Sequence, residues 1–123
     1  MITAPSPYSL MEVDRVGPVT VVRFTGRAIV DARSIGLIGA ELTRLVDKFG
    51  NRQVLLNFGQ VRNLSSYMLA GIVNLHKKVD AVGGRVDVCA LDPELRKVFE
   101  LTRLSKLVSI YGDEREALQN ERN

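Results

Sequence analysis

Apolar and polar positions along the chain follow two periods, one typical of strands and one typical of helices. A weakly alternating stretch at 10–13 precedes the turn Gly17-Pro18 and a β-branched run at 19–24, which together predict a hairpin of two strands. Between Asp31 and Gly50 the apolar residues recur every three or four positions and predict a helix with one buried stripe. The stripe comprises Ile35, Ile38, Leu42, Leu45, Val46 and Phe49.

The remainder of the chain alternates short apolar runs with helical patterns. A helix beginning at Asp92-Pro93-Glu94 is predicted with particular clarity, because an N-cap residue, a first-turn proline and an early acid occur together. The other predicted elements are a strand at 54–58, a helix at 66–82 ended by Gly83-Gly84, a strand at 86–91, a strand at 107–111 and a terminal helix at 113–119.

The resulting order, ββαβαβαβα, predicts one α/β domain. We expect a mixed, mostly parallel sheet with right-handed crossovers and with helices packed largely on one face. The domain is expected to span residues 10–119. A flexible leader at 1–9, which contains two prolines, and a polar tail at 120–123 are expected to flank it.

Composition narrows the class of protein. The chain has 123 residues, and 46% of them are hydrophobic, which suffices for one core. Its 17 basic and 14 acidic residues are interleaved, so we do not expect nucleic acid as a partner. Cys89 is the single cysteine, lies in an apolar run and fits a buried strand position in a cytoplasmic protein. No apolar run is long enough to predict membrane insertion.

Catalytic chemistry is not expected. His76 is the one histidine, and it lies eleven residues beyond Ser65 on a predicted helix, roughly 16 Å away, which rules out a Ser-His pair. One cysteine and one histidine do not make a zinc site. Gly83-Gly84 lacks the surrounding residues of a phosphate-binding loop. The prediction is therefore a binding protein without a metal or cofactor.

Three stretches resemble the STAS domain family in order and spacing, over about residues 10 to 119. Phe24-Thr25-Gly26 resembles the strand end before the family's first helix. Residues 54–69, with Leu64-Ser65-Ser66-Tyr67 near their end, are similar to its central strand, loop and Ser-Ser helix start. Residues 92–102 are similar to its third helix.

The resemblance implies an anti-sigma factor antagonist. Such a protein binds an anti-sigma factor, often a serine protein kinase, and thereby regulates transcription. Phosphorylation of a serine at the start of the second helix abolishes binding, and a phosphatase, expected here to be of the PP2C type, restores it. By position that serine is Ser65, with Ser66 as the less favoured alternative. A monomer or weak homodimer is expected.

Three residues depart from the common family pattern. Leu64 replaces an acidic residue before the serines, Tyr67 replaces a glycine after them, and Asn57 replaces an aspartate at the end of the central strand. Two alternatives therefore stay open: a STAS scaffold without a phosphorylation switch, or a cytoplasmic accessory subunit of a lipid or anion transporter.

Ser65 also has a structural interpretation. As an N-cap, its hydroxyl would accept an amide hydrogen bond worth about 1 kcal/mol, and Leu64 and Leu69 would form a hydrophobic staple across it. A phosphate adds about two negative charges at a helix end that tolerates them, and would weaken binding to an acidic partner. Met68 is expected either among the exposed partner-binding residues at the start of this helix or partly buried in the core. The predicted partner-binding residues are Asp31, Arg62, Asn63, Leu64, Ser65, Ser66, Tyr67 and Met68.

Overall fold

The computed structural model describes residues 10–50 and 52–121, so the expected leader at 1–9 lies outside the described residues. The elements are, in chain order, β1 (Met11–Val16), β2 (Val19–Phe24), β3 (Ala28–Ile29), α1 (Ala32–Phe49), β4 (Gln53–Asn57), β5 (Asn63–Leu64), α2 (Ser66–Asp80), β6 (Arg85–Cys89), α3 (Pro93–Leu101), a 3-10 turn (Leu104–Lys106), β7 (Ser109–Tyr111) and α4 (Glu114–Glu121).

Five strands form the main sheet in the order β1-β2-β4-β6-β7. β1 runs antiparallel to β2, and their turn contains Gly17 at a φ of 58°, in the left-handed region that glycine favours. β2, β4, β6 and β7 are all parallel, which confirms the predicted hairpin and the mostly parallel sheet. The carboxyl ends of these four strands therefore meet at one edge.

Helix ends follow the capping residues that the sequence contains. Asp31 accepts a hydrogen bond from the Ser34 amide at 2.9 Å and begins α1, and Gly50 ends that helix with a φ of 63°. Asp92 caps α3 through the Leu95 amide at 2.8 Å. The predicted helix between Asp31 and Gly50 and the predicted start of α3 at Asp92-Pro93 are confirmed.

The main core lies between the sheet and helices α1, α2 and α3. Phe24 and Phe58 stack with ring centroids 4.8 Å apart, and Phe99 of α3 meets Phe58 edge-on at 6.0 Å. The predicted stripe of α1 supplies Ile38, Leu42, Leu45 and Val46 to this core. The side chain of Phe49 lies outside the described part of the chain.

The opposite face of the sheet is covered by α4. Ala117 packs there with Val19, Val21, Leu55 and the buried Cys89. Helices therefore lie largely, but not entirely, on one face, as expected. α4 continues to Glu121, so two residues that were expected in the polar tail belong to this helix.

Sequence patterns missed three short elements. β3 and β5 pair in parallel as a separate two-stranded sheet, and with two residues each they are too short to show a period. The run at 107–111 was expected to be a strand throughout, but a 3-10 turn precedes β7 and Leu107 is exposed. None of the helices in the described residues is long and apolar enough to cross a membrane.

Replacing Gly84 by alanine should destabilise the fold. The added Cβ would lie 2.1 Å from the Arg52 carbonyl oxygen, so backbone must move. We expect the free energy of unfolding in urea to fall by about 1–3 kcal/mol. Gly36→Ala is the matched control, because nothing lies within 4 Å of its added Cβ, and it should gain about 0.5–1 kcal/mol. Equal effects of the two substitutions would contradict this packing.

Stability should depend on the ionisation of Glu114. Hydrogen bonding from Arg23, and secondarily from Asn57, lowers the pKa of Glu114 against the opposing effect of burial. A carboxyl pKa lowered by folding stabilises the protein above the group's unfolded pKa, and this stabilisation is lost as the pH falls through the folded pKa.

Glu114→Gln should therefore lower the free energy of unfolding by about 1 kcal/mol at pH 7 and progressively less toward pH 3. Urea unfolding across that range measures the difference. Glu94→Gln, on a side chain that is 81% exposed, is the control and should have little effect at any pH. A difference for Glu114→Gln that does not change with pH would refute the role of the Glu114 charge.

Candidate functional site

Ser65 begins α2 as its N-cap, as predicted. Its backbone is extended, with φ −82° and ψ 164°, and its Oγ accepts a hydrogen bond from the Met68 amide at 3.3 Å. The Ser65 carbonyl accepts from the amides of Met68 at 3.1 Å and Leu69 at 3.2 Å. Ser65 as a residue is half-buried. Ser65 is therefore held in position through both its side chain and its backbone.

The small β3–β5 sheet fixes where α2 starts. The Ser65 amide donates to the Ile29 carbonyl at 3.1 Å, which continues the pairing of β3 with β5. One step earlier, the amides of Arg62 and Asn63 both donate to the Arg27 carbonyl, at 2.7 and 3.3 Å. Segments 27–33 and 62–67 thus form one continuous patch, which we call the Ser65 surface.

Met68 does not belong to this surface, contrary to the expectation that it contacts a partner. Its side chain is 2% exposed and packs into the main core with Ile72, Leu75 and Val79 of the same helix. The reason is helical period, because positions 68, 72, 75 and 79 share the face turned to the sheet. Leu64 is only partly buried and packs against the same core.

The other predicted residues do come together. Arg62, Asn63, Ser66 and Tyr67 are exposed, and Tyr67 is 74% exposed although it is a large aromatic residue. Asp31 lies two residues beyond Ile29 and is also exposed. Hydrogen bonds from Ser34, with the nearby Arg33 charge as a smaller contribution, lower the pKa of Asp31, so its carboxylate remains charged as a helix cap.

Asn57 has a role that the sequence did not reveal. Its Oδ1 accepts from the Gly59 amide at 2.8 Å, while its Nδ2 donates to Glu114 of α4. Glu114 is also held by Arg23, at 2.6 and 2.9 Å. An aspartate at position 57 would lack the donor and repel Glu114, so the amide suits this position. Asn57 thereby connects α4 to the loop that leads to Ser65.

Arg62 stabilises the same loop from the other side. Its guanidinium donates to the carbonyl oxygens of Gly59 and Val61, both at 3.2 Å, and lies 3.8 Å from the Asp92 carboxylate. The loop between β4 and β5 is therefore joined to the start of α3 as well as to α4. No sequence pattern predicts the contact with Asp92, because it joins segments that are distant in the chain.

A groove of about 210 Å³ runs between α1 and α2, and Met68, the residue that follows the Ser65 surface in the chain, contributes to its lining. Three glycines, Gly36, Gly39 and Gly71, lie along it, and an added Cβ at each would meet nothing within 4 Å. The rest of its lining includes Ile35, Ile38, Ala40, Leu42, Leu75 and Lys78.

The groups available at the Ser65 surface are hydrogen-bonding groups and exposed side chains. Among residues 10–50 and 52–121, no cluster of His, Cys, Asp and Glu side chains has the composition to hold a metal ion. His76 is half-buried in α2. The amides of Ser66 and Tyr67 have no acceptor among the described residues, and the first turn of α2 has no acid. The site therefore offers a hydroxyl, free amides and exposed side chains.

Comparison with known proteins shows which family model and which individual proteins this chain matches. A model of the STAS domain matches residues 11–117. A Bordetella bronchiseptica protein named "Putative anti-sigma factor antagonist BtrV" is 29% identical over 92 residues, which make up 75% of this chain and 77% of that protein.

Solved structures share the fold. An anti-sigma factor antagonist from Mycobacterium paratuberculosis has a TM-score of 0.82 at 24% identity, covering 96% of this chain and 98% of that one. The Bacillus cell fate determinant SpoIIAA in its phosphorylated form has a TM-score of 0.72 at 20% identity, covering 89% and 97%. At these identities the likeness establishes the architecture alone.

Removing the Ser65 hydroxyl should weaken the start of α2. Ser65→Ala loses the cap to the Met68 amide, and we expect the free energy of unfolding to fall by about 1 kcal/mol, whereas Ser65→Asp retains a capping oxygen and most of the stability. Ser66→Ala is the control, and because Ser66 is exposed it should change stability by less than about 0.5 kcal/mol. Urea unfolding measures all three; equal losses for the two alanine variants would disprove the cap.

Proposed function

The chain belongs to the STAS domain family, and we propose that it acts as an anti-sigma factor antagonist, a protein that binds an anti-sigma factor so that the sigma factor is released. The observation that carries this proposal is the Ser65 surface, where a half-buried serine caps α2 beside exposed Ser66 and Tyr67. The names of the relatives support the same class of protein.

The switch that we propose is phosphorylation of Ser65. The partner would be an anti-sigma factor of the serine-kinase type, which modifies Ser65, and a PP2C-type phosphatase would reverse the modification. Because the Ser66 and Tyr67 amides are free and the first turn of α2 has no acid, a phosphate at this position meets a favourable field. The dipole contribution is typically about 0.3–1 kcal/mol, so the fold tolerates the modification.

The same phosphate acts strongly on an interface. It adds about two negative charges and a bulky group to a surface that a partner must cover closely. A mismatched, desolvated charge at a protein interface costs several kcal/mol, and about 1.4 kcal/mol corresponds to a tenfold loss in affinity. Phosphorylation would therefore remove partner binding while leaving the domain folded.

Tyr67 supports a partner surface here. A large aromatic side chain with most of its area open to solvent contributes little to the stability of the free domain. Aromatic residues are enriched at protein interfaces, where they bury a large area at a small cost in conformational entropy. The residue that replaces the family's usual glycine is thus suited to direct contact.

A cytoplasmic binding role without catalysis is part of the proposal. A second candidate is a STAS scaffold without the switch, and the replacement of the acidic residue before the serines by Leu64 favours it. A scaffold would keep its partners whatever the charge at position 65.

Pull-down from the native host with four baits distinguishes these functions: wild type, Ser65→Ala, Ser65→Glu and Ser66→Glu. Mass spectrometry should identify a kinase-like anti-sigma factor bound to wild type and Ser65→Ala, and lost from Ser65→Glu. Ser66→Glu is the control for a charge one residue away, and it should retain more partner than Ser65→Glu. Identical partners on all four baits would contradict the switch and support the scaffold. Capture of transporter subunits on the baits would contradict both proposals and favour the function of an accessory subunit of a transporter.

A further inference from the structure

Three arginines lie in the Ser65 surface. Arg27 precedes β3, Arg62 precedes β5, and Arg33 lies in the first turn of α1; all three side chains are exposed. The backbones of Arg27 and Arg62 are directly hydrogen-bonded. Within the described part of the chain, neither Arg27 nor Arg33 forms an ion pair, and Arg62 approaches a carboxylate, that of Asp92, only at 3.8 Å.

The carboxylates nearby offset this charge incompletely. Asp31 and Asp92 both cap helices, and their charge faces the positive ends of α1 and α3, each equivalent to roughly half an elementary charge. α2 has the neutral cap Ser65 and no acid in its first turn. The Ser65 surface therefore combines three cations and the N-termini of α1 and α2 with one carboxylate, that of Asp31. The adjacent start of α3 adds Asp92 and Glu94, and Glu94 lies 4.0 Å from the Lys97 ammonium.

Apolar side chains accompany these cations. Six large hydrophobic side chains are exposed in the described residues, and three of them, Val30, Leu37 and Tyr67, lie within or directly beside the Ser65 surface. The groove between α1 and α2 is lined by residues adjacent to two of them in the chain, Gly36 and Ile38 beside Leu37 and Met68 beside Tyr67. Apolar contact surrounded by charge of one sign is the usual composition of a protein-binding site that selects its partner by charge.

We propose that the Ser65 surface binds an acidic face of its protein partner, with carboxylates opposite Arg27, Arg33 and Arg62 and an apolar side chain in the groove between α1 and α2. This inference rests on the proposed function and specifies the chemistry of the partner. It also explains the direction of the switch. A phosphate at Ser65 would cancel most of the local positive charge and repel the acidic partner that this charge attracts.

The test uses the full chain and two synthetic helical peptides that share one leucine stripe. One peptide carries glutamates on its other face, and the second carries lysines at the same positions. Titration into isotope-labelled protein, followed by the amide signals of Ser66, Tyr67 and Gly71, should show the acidic peptide binding at least about tenfold more tightly. Its affinity should fall as salt is raised from about 0.05 to 0.5 M, because exposed charges are then screened.

Charge reversal supplies the controls. In the double variant Arg27→Glu, Arg33→Glu, the preference for the glutamate peptide over the lysine peptide should disappear or invert. Lys77→Glu reverses one charge in the last turn of α2, roughly 16 Å from Ser66, and should leave the preference for the acidic peptide intact. Overlapping spectra of the free variants verify that both remain folded.

Absence of binding by the acidic peptide, equal binding of the two peptides, or an equal effect of Lys77→Glu would overturn the inference. Failure of this inference can be distinguished from failure of the proposed function. A pull-down that finds no anti-sigma factor contradicts the function and leaves the peptide result standing, whereas a charge-insensitive surface contradicts the inference even when an anti-sigma factor is captured.

Discussion

Parallel pairing of β2, β4, β6 and β7 determines where the functional groups of this protein lie. Because all four strands point the same way, each crossover helix must begin at the same edge of the sheet. The caps of α1, α2 and α3, namely Asp31, Ser65 and Asp92, are therefore gathered there. This topology therefore produces a surface rich in free amides, helix N-termini and loop side chains. The capping residue of each helix then determines the charge at that helix start.

Pairing of the short strands β3 and β5 positions the site at this edge of the sheet. The β3–β5 sheet is only two residues long on each side, yet its continuation from the Ser65 amide to Ile29 fixes the first turn of α2. Asn57 and Arg62 hold the preceding loop against α4 and α3. The serine proposed as the switch thus sits on a rigid support. We therefore expect a charge added to Ser65 to change the surface presented to a partner more than it changes the fold.

Elements that depend on local chemistry could be predicted from the sequence. Asp31 and Gly50 marked the ends of α1, and Ser65 was correctly identified as the cap of α2. Features that depend on contacts between distant segments could not be predicted from the sequence. The pairing of β3 with β5 and the Asn57–Glu114 link join segments that show no period of their own. Met68 was ambiguous because the third residue of a helix faces the core or solvent according to how the helix rotates over the sheet, which the sequence pattern alone does not specify.

Charge at Ser65, in the function proposed for this protein, controls binding and leaves the fold intact. The most direct test of this function is to incorporate phosphoserine at position 65 and to measure, on the same sample, the melting temperature and the affinity for the anti-sigma factor captured by the unmodified protein. We expect a melting temperature close to that of the unmodified protein together with at least about a hundredfold loss of affinity, since about 2.8 kcal/mol is a modest penalty for a desolvated phosphate. Retained affinity, or loss of binding accompanied by unfolding, would contradict the proposed switch.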